Sequence, residues 1–528
     1  MRGVINDFLR GLIAAAIRSL GLLLTILQTV RMKNFFRNQK RLARRYEINS
    51  DTPILTFGPE LEGSIERAAA KAGQGSRFAW TSGSTAKPKG ILYTKRRLRG
   101  VKLAYVNFFA RCSWSLKHKR TSLYLFSALS KDDSLTTMLL EEPGLPPYLA
   151  SLQAPYRVHR HPAIQSLASE YGATAVRLWI LAISNPGILY STNPSTLSTF
   201  LDELTTDWPR SAQLICNWWS KPAVFDPGVH KIAKHLKSRG SDARLKRIAA
   251  SDSPLPLQVC APAVHAYLCW TGGYVKPFLD RLAKYLPADR YNLIPLYSMS
   301  TETLETEGHF VDNKPAFLPL AQHVLYEFIE EGAADNPQNL LTADQLCTGK
   351  TYAMVVSDAY GLRRYQTGDV FLCRRFVAGL PDLSFLRRRD LEYSFTGEKI
   401  TSEQLIAVFQ KLRSEYPQLG SERFLTCVPS LPDGETRPHY KIVLVKSDVK
   451  DLGLPVDELA TRCNQLLSEM NREYESKYQS GRLGPAKFIL ISQRDLIERL
   501  AGAAKSKTWE SQFKFLPLYR NTWENLKT

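Results

Sequence analysis

The sequence predicts an α/β fold, with a large mixed α/β N-terminal domain and a small α+β C-terminal domain. First, 528 residues exceed what a single hydrophobic core usually supports. Second, from about residue 78 short runs rich in β-branched and aromatic residues alternate with longer helical patterns. Third, the chain becomes charged and loses its apolar period near residue 386. We therefore predict three parts, residues 1–60, 61–390 and 391–528.

In the large domain the predicted strands are residues 122–129, 324–330, 351–358 and 369–376. Residues 174–184 are apolar throughout, a pattern that fits a helix as well as a buried strand. Residues 262–273 form an apolar run that ends in two glycines, which fits a buried strand followed by a turn.

The small domain shows a clearer alternation of helices and strands. Apolar residues at helical spacing predict helices over 402–416, 456–474 and 494–502. Strands are predicted over 423–428, 439–445 and 487–492.

The composition indicates anionic partners and a reducing compartment. The chain has 70 Lys and Arg against 50 Asp and Glu, a formal charge of +20. Such an excess favours nucleotides, anionic lipids or nucleic acid. The eight cysteines are scattered and form no Cys-x-x-Cys pair, which is typical of reduced core cysteines in a cytoplasmic protein.

The N-terminal segment, residues 1–60, is predicted to be helical, apolar and basic. Residues 11–30 are almost long enough to span a bilayer, and residues 31–45 are strongly basic without an acid. Three interpretations stay open: a helix packed on the first domain, peripheral contact of residues 11–45 with the inner face of a membrane, and a true span.

A loop rich in Ser, Thr and Gly, "TSGSTAKPKG", is the first candidate site. Successive backbone N–H groups in such a turn bind anions, and hydroxyls add donors. The loop lacks the spacing of a P-loop. By itself it is more typical of a turn. Its candidate phosphate ligands are Thr81, Ser82, Gly83, Ser84, Thr85, Lys87 and Lys89.

Three further motifs follow in order along the chain. They are "YSMSTE" (297–302) with Glu302, "YQTGDVF" (365–371) with Asp369, and "FTGEKITSEQL" (395–405) with Lys399. Each residue alone has a plain interpretation, namely a solvated acid, a turn former and a surface lysine. Chance explains the four motifs in this order much less well than it explains each motif alone.

This order resembles the adenylate-forming superfamily and, within it, the Gretchen Hagen family of auxin-responsive acyl acid amido synthetases. The run "GKTYAMVVSDAYGLRRYQTGDVFLCRRF" is the most specific match, and "LYEFIE" before it is similar to a strand of that family. The run "LSFLRRRDLEYSFTGEKITSEQL" is similar to its hinge, and "LGPAKFILI" and "QFKFLPL" to its C-terminal signatures. The resemblance covers roughly residues 70–520.

The resemblance implies a large adenylation domain, a small lid domain and a two-step ligase. An acyl acid carboxylate would attack the α-phosphate of ATP, and an amine, typically an amino acid, would then take the acyl group with release of AMP. The loop at 81–89 would hold the β- and γ-phosphates. The other nucleotide-binding residues would be Ser300, Thr301, Glu302, Tyr365 and Asp369, with Glu302 also assisting Mg²⁺. The catalytic residues would be Arg388 at the hinge and Lys399 and Lys514 in the lid.

Two departures from the family pattern are visible. Ala86 stands where the family has Gly, and "YSMSTE" holds one residue more before Glu302 than the family motif. Either Ser298 takes the place of the motif tyrosine or the loop bulges at Tyr297.

Two other functions stay open at this point. The first keeps adenylation but transfers the acyl group to a thiol, either coenzyme A or a carrier protein. The second is a non-catalytic basic relative that binds membranes or nucleic acid. Nucleic-acid binding is not expected, because the basic runs lack interleaved stacking aromatics apart from Phe35 and Phe36. The oligomeric state is open.

Overall fold

The structure of the protein is a computed structural model. The structure describes residues 2–72, 75–80, 90–126, 135–140, 146–192, 194–272, 275–296, 299–389, 392–395, 398, 400–420, 424–430, 437–446, 455–492, 495–496 and 516–519. The chain divides into two compact units, Met1–Thr271 with Leu282–Arg387, and Gly272–Arg281 with Arg388–Thr528.

The first unit begins with the long helix α1 and holds most of the helical residues. Its helices are α1 (Arg2–Lys33), α2 (Phe35–Arg45), α3 (Pro59–Ala72), α4 (Lys95–Ser115), α5 (Leu135–Leu140), α6 (Pro147–Gln153), α7 (Pro162–Tyr171), α8 (Ala173–Ser184), α9 (Pro194–Thr206), α10 (Trp208–Ser220), α11 (Pro227–Leu236), α12 (Ser241–Ala249) and α13 (Leu257–Cys260). Helix α14 (Lys276–Tyr285) crosses from the second unit into the first.

A four-stranded parallel sheet lies in the first unit, in the order β3-β4-β5-β6. Its strands are β3 (Leu123–Leu125), β4 (Ile188–Tyr190), β5 (Ala266–Cys269) and β6 (Asn292–Pro295). The apolar run at 174–184 is helix α8, and its residues from Ala175 to Ser184 are buried. A helix buried on all sides carries no polar stripe, which is why periodicity alone did not separate it from a strand.

An antiparallel sheet with the order β10-β9-β11-β12-β13 occupies the C-terminal part of the first unit. Its strands are β9 (Leu325–Glu330), β10 (Leu340–Leu341), β11 (Thr351–Ser357), β12 (Tyr365–Val377) and β13 (Leu380–Arg388). Two hairpins accompany these sheets: β1 (Arg77–Trp80) with β2 (Gly90–Tyr93), and β7 (Glu307–Val311) with β8 (Lys314–Leu318).

The second unit is built on a three-stranded sheet in the order β16-β17-β18. Its elements are β14 (Glu392–Tyr393), β15 (Ile400–Thr401), α15 (Ser402–Glu415), β16 (Thr426–Ser430), β17 (His439–Val445), α16 (Val456–Met470), α17 (Arg472–Gln479) and β18 (Lys487–Ile491). The predicted single helix over 456–474 is wrong, because the chain breaks at Asn471. The Asn471 side chain accepts a hydrogen bond from the backbone N–H of Tyr474 and so begins a new helix.

The predicted fold class is confirmed, and so are the strands at 439–445 and 487–491. The predicted boundary between residues 390 and 391 stays a prediction, and the division into compact units falls between Arg387 and Arg388. Most of the predicted helix at 494–502 lies outside the described residues.

Candidate functional site

Asp369 lies in a bulge of β12. The register passes from Val370 opposite Ala353 to Gln366 opposite Val355, so three residues of β12 face one residue of β11. The hydroxyl of Thr367 donates to the carbonyl of Met354 at 3.2 Å and accepts from the Asp369 N–H at 3.1 Å. A bulge takes a residue out of the regular ladder and re-aims its side chain. The local sequence Thr-Gly-Asp therefore holds a buried carboxylate at a defined point of the sheet.

Gly368 makes this bulge feasible, because its φ is +77°. A residue with a Cβ rarely adopts that conformation. This explains in physical terms why the motif places Gly directly before the acid.

Tyr365 begins β12 and is buried. Its neighbours fix the strand end to the N-terminal part of the unit, since Leu55 accepts from the Gln366 N–H at 2.8 Å and donates to the Arg364 carbonyl at 2.9 Å. Arg364 itself pairs with Glu327 at 2.8 Å. The ion pair of Arg364 with Glu327 is thus structural, and the predicted nucleotide contact of Tyr365 stays a prediction.

Glu302 is buried in a short turn between β6 and β7. Within this turn the Ser300 hydroxyl accepts from the Thr303 N–H at 3.2 Å. The Thr301 carbonyl accepts from the hydroxyl of Tyr93 at 3.0 Å. Tyr93 ends β2, the strand that directly follows the candidate phosphate loop at 81–89. The structure therefore brings the Glu302 turn next to the strand that leaves that loop.

Arg97, which the sequence analysis did not single out, connects these pieces. It lies in the first turn of α4, and its guanidinium donates to the carbonyls of Leu92, at 2.8 Å, and of Glu302. The same group pairs with Asp358 at 3.0 Å. Both side chains are buried, so this is an ion pair shielded from water.

Asp358 stands in the turn between β11 and β12. Its carboxylate accepts from the backbone N–H groups of Tyr360 at 2.7 Å and Leu362 at 3.2 Å. Burial raises the pKa of Asp358 above its ordinary value, while Arg97 and these two N–H groups act in the opposite direction. Because Asp369 lies on β12, Arg97 links the Glu302 turn to the hairpin that carries Asp369.

No sequence signal distinguished Arg97 from its neighbours. Lys95, Arg96 and Arg99 are cations of the same helical turn, and all three are exposed. Only the packing of α4 shows that Arg97 alone points inward. Asp358, by contrast, lies inside the long motif at 349–376 and was available as a candidate.

The remaining predicted residues are not all brought together. Residues 81–89, with all candidate phosphate ligands and Ala86, lie outside the described residues, and so do Tyr297, Ser298, Lys399 and Lys514. Arg388 is partly exposed and is the last residue of β13. It is also the first residue of the segment Arg388–Thr528, which belongs to the second unit. Its predicted catalytic role stays a prediction.

Glu302 is the one buried carboxylate for which the sequence predicts contact with a magnesium ion held mainly by a nucleotide. Across the described residues, no group of three or more His, Cys, Asp or Glu side chains could hold a metal ion. Mg²⁺ usually takes one or two protein carboxylates and completes its shell with phosphates and water. A single buried carboxylate such as Glu302 is compatible with that pattern. A tightly bound structural metal would need several protein ligands, and one carboxylate does not supply them.

Comparison with known proteins identifies the sheet that carries Asp369. Residues 317–388 match the GH3 family central domain. The chain contains a GH3 central domain. The match runs from β8 to the end of β13 and includes Asp358, Tyr365 and Asp369. It confirms, for this part of the chain, the family resemblance found in the sequence.

Curated proteins match the chain over part of their length. The 4-substituted benzoates-glutamate ligase GH3.12 of Arabidopsis thaliana is 25% identical over 231 residues, 40% of this chain and 39% of that protein. The indole-3-acetic acid-amido synthetase GH3.3 of the same plant is 23% identical over 309 residues, 53% of this chain and 51% of that protein. The chain thus spans about half, or less, of the length of these relatives.

A solved structure with a GH3 fold matches nearly the whole chain. The GH3.15 acyl acid amido synthetase superposes with a TM-score of 0.69 at 15% identity, covering 95% of this chain and 94% of that chain. The same enzyme in complex with 2,4-DB gives a TM-score of 0.68 at 16% identity. At this identity the similarity establishes the fold.

Proposed function

We propose that the protein is an ATP-dependent ligase that adenylates an acyl acid carboxylate and transfers the acyl group to an amine, forming an amide. AMP and pyrophosphate are the other products. The acceptor is an amino acid in this proposal, because the curated relatives are named as a glutamate ligase and as indole-3-acetic acid-amido synthetases.

One observation supports the proposal more than any other. Two buried carboxylates expected to serve a nucleotide, Glu302 and Asp369, are connected through the Arg97–Asp358 pair. Glu302 and Asp369 lie on separate segments of the chain, and the Arg97–Asp358 pair connects these two segments. A framework of this kind fixes polar groups before substrate binds, which is the main requirement for electrostatic catalysis.

The chemistry assigns a separate task to each carboxylate. Asp369, an acceptor with two oxygens, would bind the two ribose hydroxyls and so orient the α-phosphate. Glu302 would supply one oxygen to Mg²⁺, which spreads the charge of the phosphates when bound. The loop at 81–89 would hold the β- and γ-phosphates with its N–H groups, its hydroxyls and Lys87 or Lys89.

Positioning is the principal contribution of these residues to the first step. In-line attack at phosphorus requires aligned oxygens and a stabilised leaving group more than it requires covalent help. In the second step Arg388, Lys399 and Lys514 are the proposed partners of carboxylate or phosphate groups. Their motifs place them at the hinge and in the C-terminal part of the chain.

The experiment is carboxylate-dependent exchange of labelled pyrophosphate into ATP, screened over a library of acyl acids. The full chain should exchange with at least one acid and then release AMP when amino acids are added. If coenzyme A caused AMP release and none of the amino acids did, the acceptor would be a thiol and not an amine. Absence of exchange with every acid would reject adenylation.

The site residues are tested with two variants and one control. Asp369→Asn and Glu302→Gln should each lower the exchange rate by about 10²-fold or more, since each removes a charge aimed at the nucleotide or its metal. Asp252→Asn changes an exposed carboxylate in the same unit and should leave the rate unchanged. Wild-type exchange in Asp369→Asn would remove that residue from the site.

A further inference from the structure

Helix α1 exposes a continuous apolar face. More than half of its exposed residues are large and hydrophobic, and Leu23 and Leu27 are 59% and 58% exposed. The exposed large apolar residues of this helix are Val4, Ile5, Phe8, Leu12, Leu20, Leu22, Leu23, Ile26, Leu27 and Val30. A folded protein in water rarely leaves an apolar patch of this size uncovered.

The opposite face of α1, which contacts the rest of the first unit, is made of polar and small residues apart from Met32. These buried residues are Gly3, Asn6, Arg10, Ala14, Gly21, Gln28 and Met32, and they recur at spacings of three, four and seven. A helix packed on a globular domain normally turns its apolar stripe inward. Helix α1 has the reverse arrangement.

Specific hydrogen bonds hold α1 in this inverted orientation. Near its start the Asn6 amide donates to the carbonyls of His235 at 3.0 Å and Lys237 at 2.8 Å. In its middle Arg18 donates to the carbonyl of His118 at 2.7 Å. Near its end Arg31 makes a bidentate pair with Glu307 at 2.9 and 3.0 Å. Because the anchors cover the whole helix, the exposed face cannot be an accident of one loose end.

These anchors also bear on the three interpretations of the N-terminal segment. By length and composition α1 could cross a membrane. Most of its apolar stretch is not buried, so α1 is not a core helix. A helix docked to the protein from Asn6 to Arg31 has one face left for lipid. It would therefore lie along a bilayer surface and not pass through it.

Helix α2 continues the surface with positive charge. Its buried residues Phe35, Gln39 and Leu42 extend the inward stripe of α1 past Met32 at the same spacing. The exposed face therefore continues as well, and there it turns basic, with the exposed cations Arg37, Lys40, Arg41, Arg44 and Arg45. Residues 8–46 contain no acid. Each cation near an anionic membrane surface strengthens binding by about fivefold.

Trp114 is an exposed aromatic residue next to α1. It lies on α4, its Cβ is close to Gly21 of α1, and the residue is 41% exposed. Indole rings concentrate at the boundary between headgroups and acyl chains.

We propose that α1 and α2 form an in-plane membrane anchor, with the apolar face of α1 inserted among the headgroups of an anionic leaflet and the cations of α2 bound to lipid phosphates. The charge of α2 favours an anionic membrane over a second copy of this chain as the partner of this surface. The apolar face of α1 continues into the basic face of α2, and two such basic faces would repel each other.

The apolar half is tested by sedimentation of the full chain with vesicles of phosphatidylcholine and phosphatidylserine. Leu23→Ser/Leu27→Ser should weaken binding by about tenfold or more, because both side chains lose their transfer into lipid. Val224→Ser/Phe376→Ser changes two exposed apolar side chains on other elements and should bind like the wild type. Equal binding of both double variants would overturn the proposal.

The basic half is tested with the same vesicles. Lys40→Gln/Arg41→Gln should weaken binding by about 30-fold, while Lys246→Gln/Arg247→Gln on α12 should not. Vesicles of phosphatidylcholine alone should bind the wild type weakly. The proposal would be overturned if the chain bound none of the vesicles but formed a dimer in sedimentation velocity. Loss of that dimer in Leu23→Ser/Leu27→Ser would show that the apolar face of α1 is an interface between two copies of the chain.

Discussion

The guanidinium of Arg97 lies 3.0 Å from the carboxylate of Asp358, in a place where both side chains are buried. The same guanidinium lies over the rings of Tyr93 and Tyr360, 4.7 and 4.9 Å from their centroids. Two aromatic faces and one carboxylate thus surround a single cation. The pair joins the start of α4 to the turn between β11 and β12.

Replacing Arg97 by Gln should destabilise the protein by about 3 kcal/mol, since it leaves the buried charge of Asp358 without its partner. Urea unfolding measures this loss. Arg99→Gln, an exposed cation two residues further along α4, should change stability by less than about 0.5 kcal/mol.

A second measurement separates positioning from stability in the same variant. If Arg97 holds the Glu302 turn, the folded fraction of Arg97→Gln should show a raised KM for ATP in the exchange assay. An unchanged KM in folded protein would mean that Arg97 supports the fold and does not position the site.

The contrast between Asp369 and Arg97 indicates what a sequence can predict about such a site. Asp369 lies in a short motif whose residues act locally, because Gly368 and Thr367 build the bulge that holds it. Arg97 acts through Asp358, more than 250 residues away in the chain. Its neighbours Arg96 and Arg99 have the same charge, so only tertiary packing distinguishes it.

Gly361 should be intolerant of any side chain. Its φ is +105°, and a Cβ there would lie 2.6 Å from the backbone of Ile65 in α3. Gly361→Ala should therefore cost about 3 kcal/mol, from the strained φ and from the displacement of α3. Gly379→Ala has a similar φ of +79° but open space, and should cost only about 1 kcal/mol. Equal losses by urea unfolding would rule out the close approach of α3.

The stability of the protein should fall as the pH decreases from about 6.5 to about 4. Burial lowers the pKa of His118 to about 4, and the neighbouring ring of His265, 4.9 Å away, acts in the same direction. A histidine with a lowered pKa binds its proton in the unfolded chain first, so acid favours unfolding within this window. His118 alone would contribute about 3 kcal/mol across it.

The check is a comparison of unfolding free energies at pH 7 and pH 4.5. His118→Phe removes the titrating group, so its loss of stability between the two pH values should be smaller than that of the wild type. An equal loss in both proteins would show that other groups cause the acid sensitivity.

The fold was predictable at the level of classes and motifs, and less so where packing decides. The strand at 439–445 was predicted with its observed ends because its β-branched residues lie between polar turns. The run at 174–184 stayed ambiguous because α8 is buried on every side. For α1 the sequence showed an apolar helix, but not that Asn6 and Gln28 face the protein, since those contacts are with carbonyls more than 200 residues away.

Two glycines of α1 give opposite predictions for the same substitution. Gly21 lies so close to α4 that an added Cβ would overlap the carbonyl of Ala110, whereas nothing lies within 4 Å of a Cβ at Gly11. Gly11→Ala should stabilise the protein by up to about 1 kcal/mol, because Ala is the better helix former. Gly21→Ala should destabilise it by about 2 kcal/mol despite the same gain, since α1 must move away from α4. Urea unfolding gives both values, and a stabilised Gly21→Ala variant would mean that α1 does not rest on α4. The exposed face of α1 would then lose its fixed orientation, and the proposed membrane anchor would lose its structural basis.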